Sequence, residues 1–202
     1  MPGTTTFHLV RHGDYGLLGR VLAGRSTGHS LNENGSAQAR AVADALAALP
    51  IAAIVSSPLE RTRQTAEPIA ERLGLDVTID PDVIEIDFGD WTGRTFESLR
   101  AWPGWPAFNR FRSTAQIPGG ESMLAVQTRS LGAVLRLRAA YPDSEVAIVS
   151  HGDVIKSIVA HFLTIPLDMF RRFDIAPASR SVVTLSDEDA RVLAVNIPPP
   201  RA

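Results

Sequence analysis

The chain has 202 residues, enough to bury a sizeable core and short enough for a single domain. With 45% hydrophobic and 21% charged residues its composition is ordinary and globular, which excludes a disordered or collagen-like chain. Lys and Arg number 20 against 22 Asp and Glu, a net charge of -2, so no global field points to nucleic acid or to a membrane surface.

No internal repeat, low-complexity tract or like-charge block interrupts the chain. Short β-branched runs alternate with longer helical ones, which predicts an α/β fold: a three-layer sandwich with a largely parallel central sheet flanked by helices. The first strand, Thr5 to Val10, stops at Arg11-His12-Gly13. A Gly-rich loop follows, and Asn32 opens a helix with Ala39, Val42, Ala43, Leu46 and Leu49 on helical spacing, ended by Pro50. A second strand, Ala53-Ile54-Val55, runs into Ser57-Pro58, where Ser57 is expected to cap a helix and Pro58 to take its first position. That helix reaches Gly74, and a short strand, Val77-Thr78-Ile79, leads towards Val83-Ile84-Glu85. Residues 86–120, with Trp91, Trp102 and Trp105, read as irregular and as a small lid insertion into one domain of residues 1–202. A long helix follows, from about Ser122 to Ala140. The fourth strand, Val146 to Val149, ends at Ser150-His151-Gly152 and passes into a helix reaching Leu163. Val182 to Leu185 and Val192 to Val195 read as a hairpin closing one sheet edge.

One coincidence organises the chemistry. Arg11 and His12 follow the first strand, Arg61 sits a turn into the helix after the second, and His151 follows the fourth. In an open parallel sheet, ligands bind beyond the carboxyl ends of the strands, so residues from distant parts of the sequence are brought to one crevice. Arginine is always charged and grips phosphate oxygens bidentately, while a neutral histidine can act as a nucleophile. The other acids and histidines read differently. His8 and His161 are expected to be structural, and Asp14 is a candidate acid beside His12. Glu121 is read either as a helix cap or as a pocket residue.

Here the sequence resembles the histidine phosphatase superfamily, in its phosphoglycerate-mutase-like branch. Leu9-Val10-Arg11-His12-Gly13 matches the signature at the first strand end. Ser57-Pro58-Leu59-Glu60-Arg61-Thr62-Arg63-Gln64-Thr65-Ala66 is similar to the second phosphate-binding segment. Glu85 to Gly93 resembles the stretch carrying the proton donor, and Pro118 to Ser122 and Val149 to Gly152 complete the order. The resemblance covers residues 7–162. It implies that His12 is the nucleophile, carrying the phosphoryl group as phosphohistidine. It also implies that Arg11, Arg61 and His151, with Gly152, bind the phosphoryl oxygens, and that Glu85 protonates the leaving alcohol. No metal or other cofactor is implied, since the arginines supply the positive charge. The loop at Gly28-His29-Ser30-Leu31 departs from the family, which more often has an acidic residue before its Leu.

Three other patterns are set aside. Gly24-Arg25-Ser26-Thr27-Gly28 fits a serine-hydrolase elbow but lies in a loop, without the strand and helix that motif needs. Asn34-Gly35-Ser36 fits a glycosylation acceptor, which has no meaning without secretion. His12, Asp14, His151 and Asp153 could be drawn as a metal site, but Arg11 and Arg61 beside a cation would repel it. Without cysteine there is no disulfide framework, thiolate nucleophile or cysteine-based zinc site. The opening Met1-Pro2-Gly3-Thr4 lacks a signal-peptide pattern, and no apolar stretch is long enough to cross a bilayer. The expectation is a cytoplasmic phosphomonoesterase acting on a small phosphorylated metabolite or on broad substrates, with no nucleic-acid or membrane partner and with a homodimer left open. Phosphoglycerate-mutase-type transfer is the alternative, because a mutase must exclude water from its intermediate and this lid is short. A phosphate- or phosphoprotein-binding module without catalysis would need neither His12 nor Glu85.

Overall fold

The computed structural model describes residues 3–200. Six strands form one sheet: β1 (Thr5–Arg11), β2 (Ile51–Ser56), β3 (Val77–Ile79), β4 (Glu145–Ser150), β5 (Arg180–Leu185) and β6 (Ala190–Ile197), in the order β3-β2-β4-β1-β5-β6. The first four in that order are mutually parallel, and β5 runs antiparallel to β1 and to β6. The hairpin therefore closes one edge as expected, and α/β with a largely parallel sheet describes the architecture.

Among the described residues six α-helices accompany the sheet: α1 (Glu33–Leu46), α2 (Glu60–Leu73), α3 (Phe96–Leu99), α4 (Trp105–Arg110), α5 (Met123–Ala140) and α6 (Gly152–Phe162). The period-2 alternation of the strands sorts their side chains to two faces. Phe7 and Leu9 of β1 join Val146 and Ile148 of β4 in a core with Val126 and Val134 of α5 and Ile155 and Ile158 of α6. On the other face, Val10, Ala147 and Val149 pack with Val42 and Leu46 of α1 and Ala66 and Ile69 of α2. Those are the three layers.

Local chemistry places the helix starts. Asn32 caps α1 through its side-chain oxygen, which accepts from the Gly35 N–H at 2.7 Å, and Ser122 caps α5 in the same way through the Ala125 N–H. The α2 start differs from expectation. Leu59 stands at the cap position and the helix begins at Glu60, so Ser57 and Pro58 lie in the turn before it. Ser57 is held there by its backbone N–H, which donates to Val149 O at 3.0 Å. Gly74 ends α2 in the left-handed conformation.

Residues 86–120 are less irregular than expected. They carry α3, α4 and a short 3-10 turn at Gly89–Trp91. Trp91, Leu99 and Phe108 are fully buried within the same core as Phe7 and Leu9, so the segment is packed continuously with the sheet. Trp91 meets Trp105 and Phe108 edge-on at 5.4 and 5.5 Å between ring centres, a geometry that aromatic quadrupoles favour. Among the described residues, no helix is long and apolar enough to cross a membrane.

Candidate functional site

Register decides where the site lies. Arg11 pairs with Ser150 and Ser56 with Val149, so β1, β4 and β2 end side by side. The next residue of each strand, His12, His151 and Ser57, emerges at the same sheet edge. His12 N donates to Ser150 O at 3.0 Å, which extends the β1–β4 ladder by one step and holds the histidine backbone rigidly. Gly13 allows the chain to turn beneath α1, where Gly35 lies so close to Asp14 that a Cβ on it would stand 2.0 Å from Asp14 O.

His12 is 2% exposed and lines a cleft of about 200 Å³ together with Arg11, Tyr15, Arg61, Glu85 and Gly152. The Gly13 carbonyl accepts from its Nδ1 at 2.8 Å, which places the proton on Nδ1 and leaves Nε2 with its lone pair. Burial, followed by the positive charges of Arg11 and Arg61, holds the His12 pKa well below its ordinary value, so the ring is neutral near pH 7. Arg11 anchors Nη1 on Ile175 O at 2.6 Å, and Arg61, 1% exposed, anchors Nη2 on Gly24 O at 2.7 Å. Arg11 Nε and Arg61 Nε and Nη1 are buried without hydrogen-bond partners. Buried cationic donors left unmet are costly, and an oxyanion in the cleft would satisfy them. Gly152 preserves their room: a Cβ there would lie 3.3 Å from Arg11 Cζ.

His151 is fully buried behind His12, with ring centres 5.3 Å apart. Its Nε2 is 2.8 Å from Ser57 Oγ, while its Nδ1 lies 3.4 Å from Arg61 Nη2 and 3.9 Å from Glu85 Oε2. Burial and then Arg61 keep it neutral as well. Glu85 has a side chain 14% exposed, and its Oε1 accepts from the Ile86 N–H at 3.0 Å. Burial first, then the negative charge of Asp153, raise its pKa to about 7, against the opposing pull of Arg61. A carboxyl poised there can hold a proton at neutral pH and can also release it.

Several residues at the site escaped the sequence reading. Ser57 was expected to cap a helix and instead orients His151. The pointer was available, because Ser57 leaves a strand end just as His12 and His151 do. Tyr15 lies edge-on to His12 at 5.4 Å, and its ring faces the Arg61 guanidinium at 5.3 Å. Arg25 Nε and Arg129 Nη2 both donate to the backbone carbonyl of Glu85, at 2.7 and 3.2 Å. Glu121 ties the two together, accepting from Arg25 Nη2 at 2.8 Å and from Arg129 Nε and Nη2 at 2.8 and 3.0 Å. Glu121 is thus neither the cap of α5 nor a wall of the cleft but the centre of a clamp beneath Glu85.

The remaining expectations resolve locally. Asp14 accepts from the Gly16 N–H and from Asn32 and Asn34, contacts that lower its pKa and leave it an ionised loop organiser rather than an acid. His8 is buried between Glu145 and Arg180, and His161 is exposed at the end of α6. Ser26 donates to Ala23 O and meets His29 Nε2 at 2.8 Å inside a loop, without elbow geometry. Among the described residues no three His, Asp or Glu side chains gather as a metal-binding group, so His12, Asp14, His151 and Asp153 do not form one.

The family model described as the histidine phosphatase superfamily (branch 1) matches residues 7–198. The chain is 32% identical over 175 residues to phosphoserine phosphatase 1 of Hydrogenobacter thermophilus, covering 83% of this chain and 80% of that protein. It is 36% identical over 179 residues to a Cronobacter sakazakii protein named as a phosphoglycerate mutase, GpmB, covering 87% and 83%. Among solved structures, the native mycobacterial glucosyl-3-phosphoglycerate phosphatase superposes with a TM-score of 0.86 at 29% identity, over 96% of this chain and 99% of that one. This chain belongs to branch 1 of the histidine phosphatase superfamily.

Proposed function

We propose that the protein is a phosphomonoesterase that hydrolyses small phosphorylated metabolites through a phosphohistidine on His12. The observation that carries the reading is a neutral imidazole with its Nε2 lone pair in a cleft whose wall holds three unmet guanidinium N–H donors. A phosphate monoester repels an anionic nucleophile unless cations cover its oxygens. Arg11 and Arg61 cover them here, with His151 and the Gly152 end of α6 beside them. Each charge-assisted hydrogen bond contributes about 1.5–3 kcal/mol. In the first step His12 Nε2 forms a bond to phosphorus as the bond to the leaving oxygen breaks, and Glu85 gives that oxygen its proton. In the second, water attacks the phosphorus and its proton passes to the Glu85 carboxylate. The P–N bond breaks as the new P–O bond forms, releasing inorganic phosphate and neutral His12. The loose transition state leaves positioning and electrostatics as the main sources of rate.

The phosphatase names of two of the relatives support hydrolysis over phosphoryl transfer between positions. We read residues 1–202 as one domain, with 86–120 covering the cleft as a lid. The test is a brief incubation with labelled phosphomonoester followed by quenching. The wild type should carry an acid-labile, base-stable adduct, and His12→Ala should lose both adduct and turnover, by roughly 10⁴-fold or more, while keeping its circular dichroism. Full activity in His12→Ala would overturn the mechanism.

A further inference from the structure

The chain just after the nucleophile has to be held by something other than its own side chain. A Cβ on Gly13 would stand 2.6 Å from Gly35 O, so no side chain fits there. Glycine lacks the steric limits that narrow other residues, and its peptides swing unless hydrogen bonds fix them. Yet these peptides set the chemistry. Gly13 O takes the Nδ1 proton of His12 at 2.8 Å, and that contact leaves Nε2 with the lone pair.

Two side chains from the helices do the holding. The Gly13 N–H donates to Thr65 Oγ1 of α2 at 3.0 Å, and the Asp14 N–H donates to Gln38 Oε1 of α1 at 2.9 Å. The carbonyls of the same two peptides are engaged as well, His12 O by the Ala178 N–H at 3.1 Å and Gly13 O by the His12 ring. The peptides on either side of Gly13 are therefore fixed at both ends. Thr65 also donates. It is fully buried, and its single hydroxyl proton goes to Arg61 O at 2.7 Å. One oxygen thus joins the backbone of the nucleophile to the helical turn that carries Arg61. A hydroxyl that donates is polarised into a better acceptor, so the two bonds strengthen each other.

We infer that Thr65 and Gln38 are positioning residues: through the Gly13 peptides they fix the tautomer and aim of His12, and Thr65 keeps Arg61 in place beside it. Neither lines the cleft, so both act through other groups. The kinetic consequence rests on the phosphatase reading, whereas the His12 tautomer is a property of the free protein. The Nδ1 proton stays on Gly13 O while Nε2 bonds to phosphorus, so the same contacts serve both steps. Without the Thr65 oxygen the Gly13 N–H has no partner, and the chain turns to find one, taking Gly13 O away from Nδ1.

The test reads the ring and the rate in parallel. Long-range proton–nitrogen NMR spectra of the free protein report the His12 tautomer, with His12→Ala identifying its signals. The wild type should show Nδ1 protonated and Nε2 bare. Thr65→Val keeps the side-chain shape and removes the hydroxyl. Its Nδ1 preference should weaken to a mixture, and single-turnover phosphorylation by nitrophenyl phosphate should slow about 10²-fold. Thr65→Ser restores the oxygen, so it should keep the wild-type tautomer and a rate within about threefold of wild type. Gln38→Met, at a half-buried position, should shift the tautomer in the same sense and slow the rate about tenfold. Ser130→Ala removes another fully buried helix hydroxyl, in α5, and should lower stability without changing tautomer or rate. Circular dichroism checks each fold, and if Thr65→Val does not fold, Gln38→Met decides. An unchanged tautomer or rate in the deciding variant, or a fall in rate that Ser130→Ala matches, would overturn the inference while leaving hydrolysis established. A wild type that forms no phosphoryl adduct would instead overturn the phosphatase reading, and the tautomer shifts would still decide what Thr65 and Gln38 hold.

Discussion

The two walls of the cleft are held by different physics. On one, Arg11 and His12 line the cleft with Ser57 and His151 buried behind them, at the ends of three parallel strands aligned by backbone hydrogen bonds, so the positions follow from register. On the other, Glu85 belongs to no regular element. Its place depends on two arginines gripping its carbonyl and on Glu121 joining them. The sheet wall carries groups whose chemistry is common to every phosphate monoester. The irregular wall carries Glu85, the proton donor of the proposed mechanism. Side-chain scaffolding can vary without disturbing the sheet, so in the proposed mechanism the division separates phosphoryl binding from protonation of the leaving group.

The largest effect that would break this comparison is expected at Glu85. Glu85→Gln should slow enzyme phosphorylation by an aliphatic phosphate about 10²–10⁴-fold, and by a nitrophenyl phosphate far less, because nitrophenolate departs without a proton. Single-turnover rates are the measurement, since in the proposed mechanism Glu85 also acts in the second step and its loss would slow both substrates at steady state. The acid form is the active one, so with a Glu85 pKa of about 7 the aliphatic rate should decline as pH rises through 7, and this limb should vanish in Glu85→Gln. The stability sign agrees. A carboxyl raised from 4.5 to about 7 binds more protons folded than unfolded, so the fold loses stability as pH rises across that window. The melting-temperature advantage of Glu85→Gln over wild type should accordingly grow from about pH 5 to about pH 8. Asp14→Asn should show no leaving-group dependence, and its appearance there would mean that the wrong carboxylate was assigned.

A smaller effect sharpens the contrast by loosening the clamp alone. Arg129→Met removes donors to both Glu85 O and Asp82 O. It should lower the phosphorylation rate from an aliphatic phosphate about tenfold, with KM little changed and with nitrophenyl phosphate nearly spared, because misplacing a catalytic group weakens only the step that uses it. Equal loss on both substrates would mean that Arg129 acts only through general stability. The smallest expected effect is none: incubation with EDTA should leave kcat/KM unchanged for both substrates, because Arg11 and Arg61 provide the charge. Loss restored by a divalent ion would assign that role to a metal instead.

The sheet wall was legible in the sequence because its information is local. A β-branched run followed at once by Arg-His-Gly or Ser-His-Gly marks a strand end, and parallel strands present their carboxyl ends at one edge. The alternation of Phe7 and Leu9 with His8 and Val10 likewise sorts residues to two faces without reference to the rest of the fold. What the sequence alone determined was therefore the layers, the parallel sheet and the convergence of Arg11, His12, Arg61 and His151. Only the tertiary structure decided that Ser57 serves His151 rather than a helix end, because the choice between a cap and a turn depends on the Ser57 N–H reaching Val149 O on a neighbouring strand. Only it joined Arg25, Glu121 and Arg129 under Glu85, and Arg112 and Arg171 on Asn109. These are contacts between side chains 3 to 96 residues apart, set by how helices and turns dock, and no periodicity along the chain records them. It also separated two carboxylates: burial with Asp153 raises the pKa of Glu85, while the Gly16 N–H and two asparagine side chains lower that of Asp14.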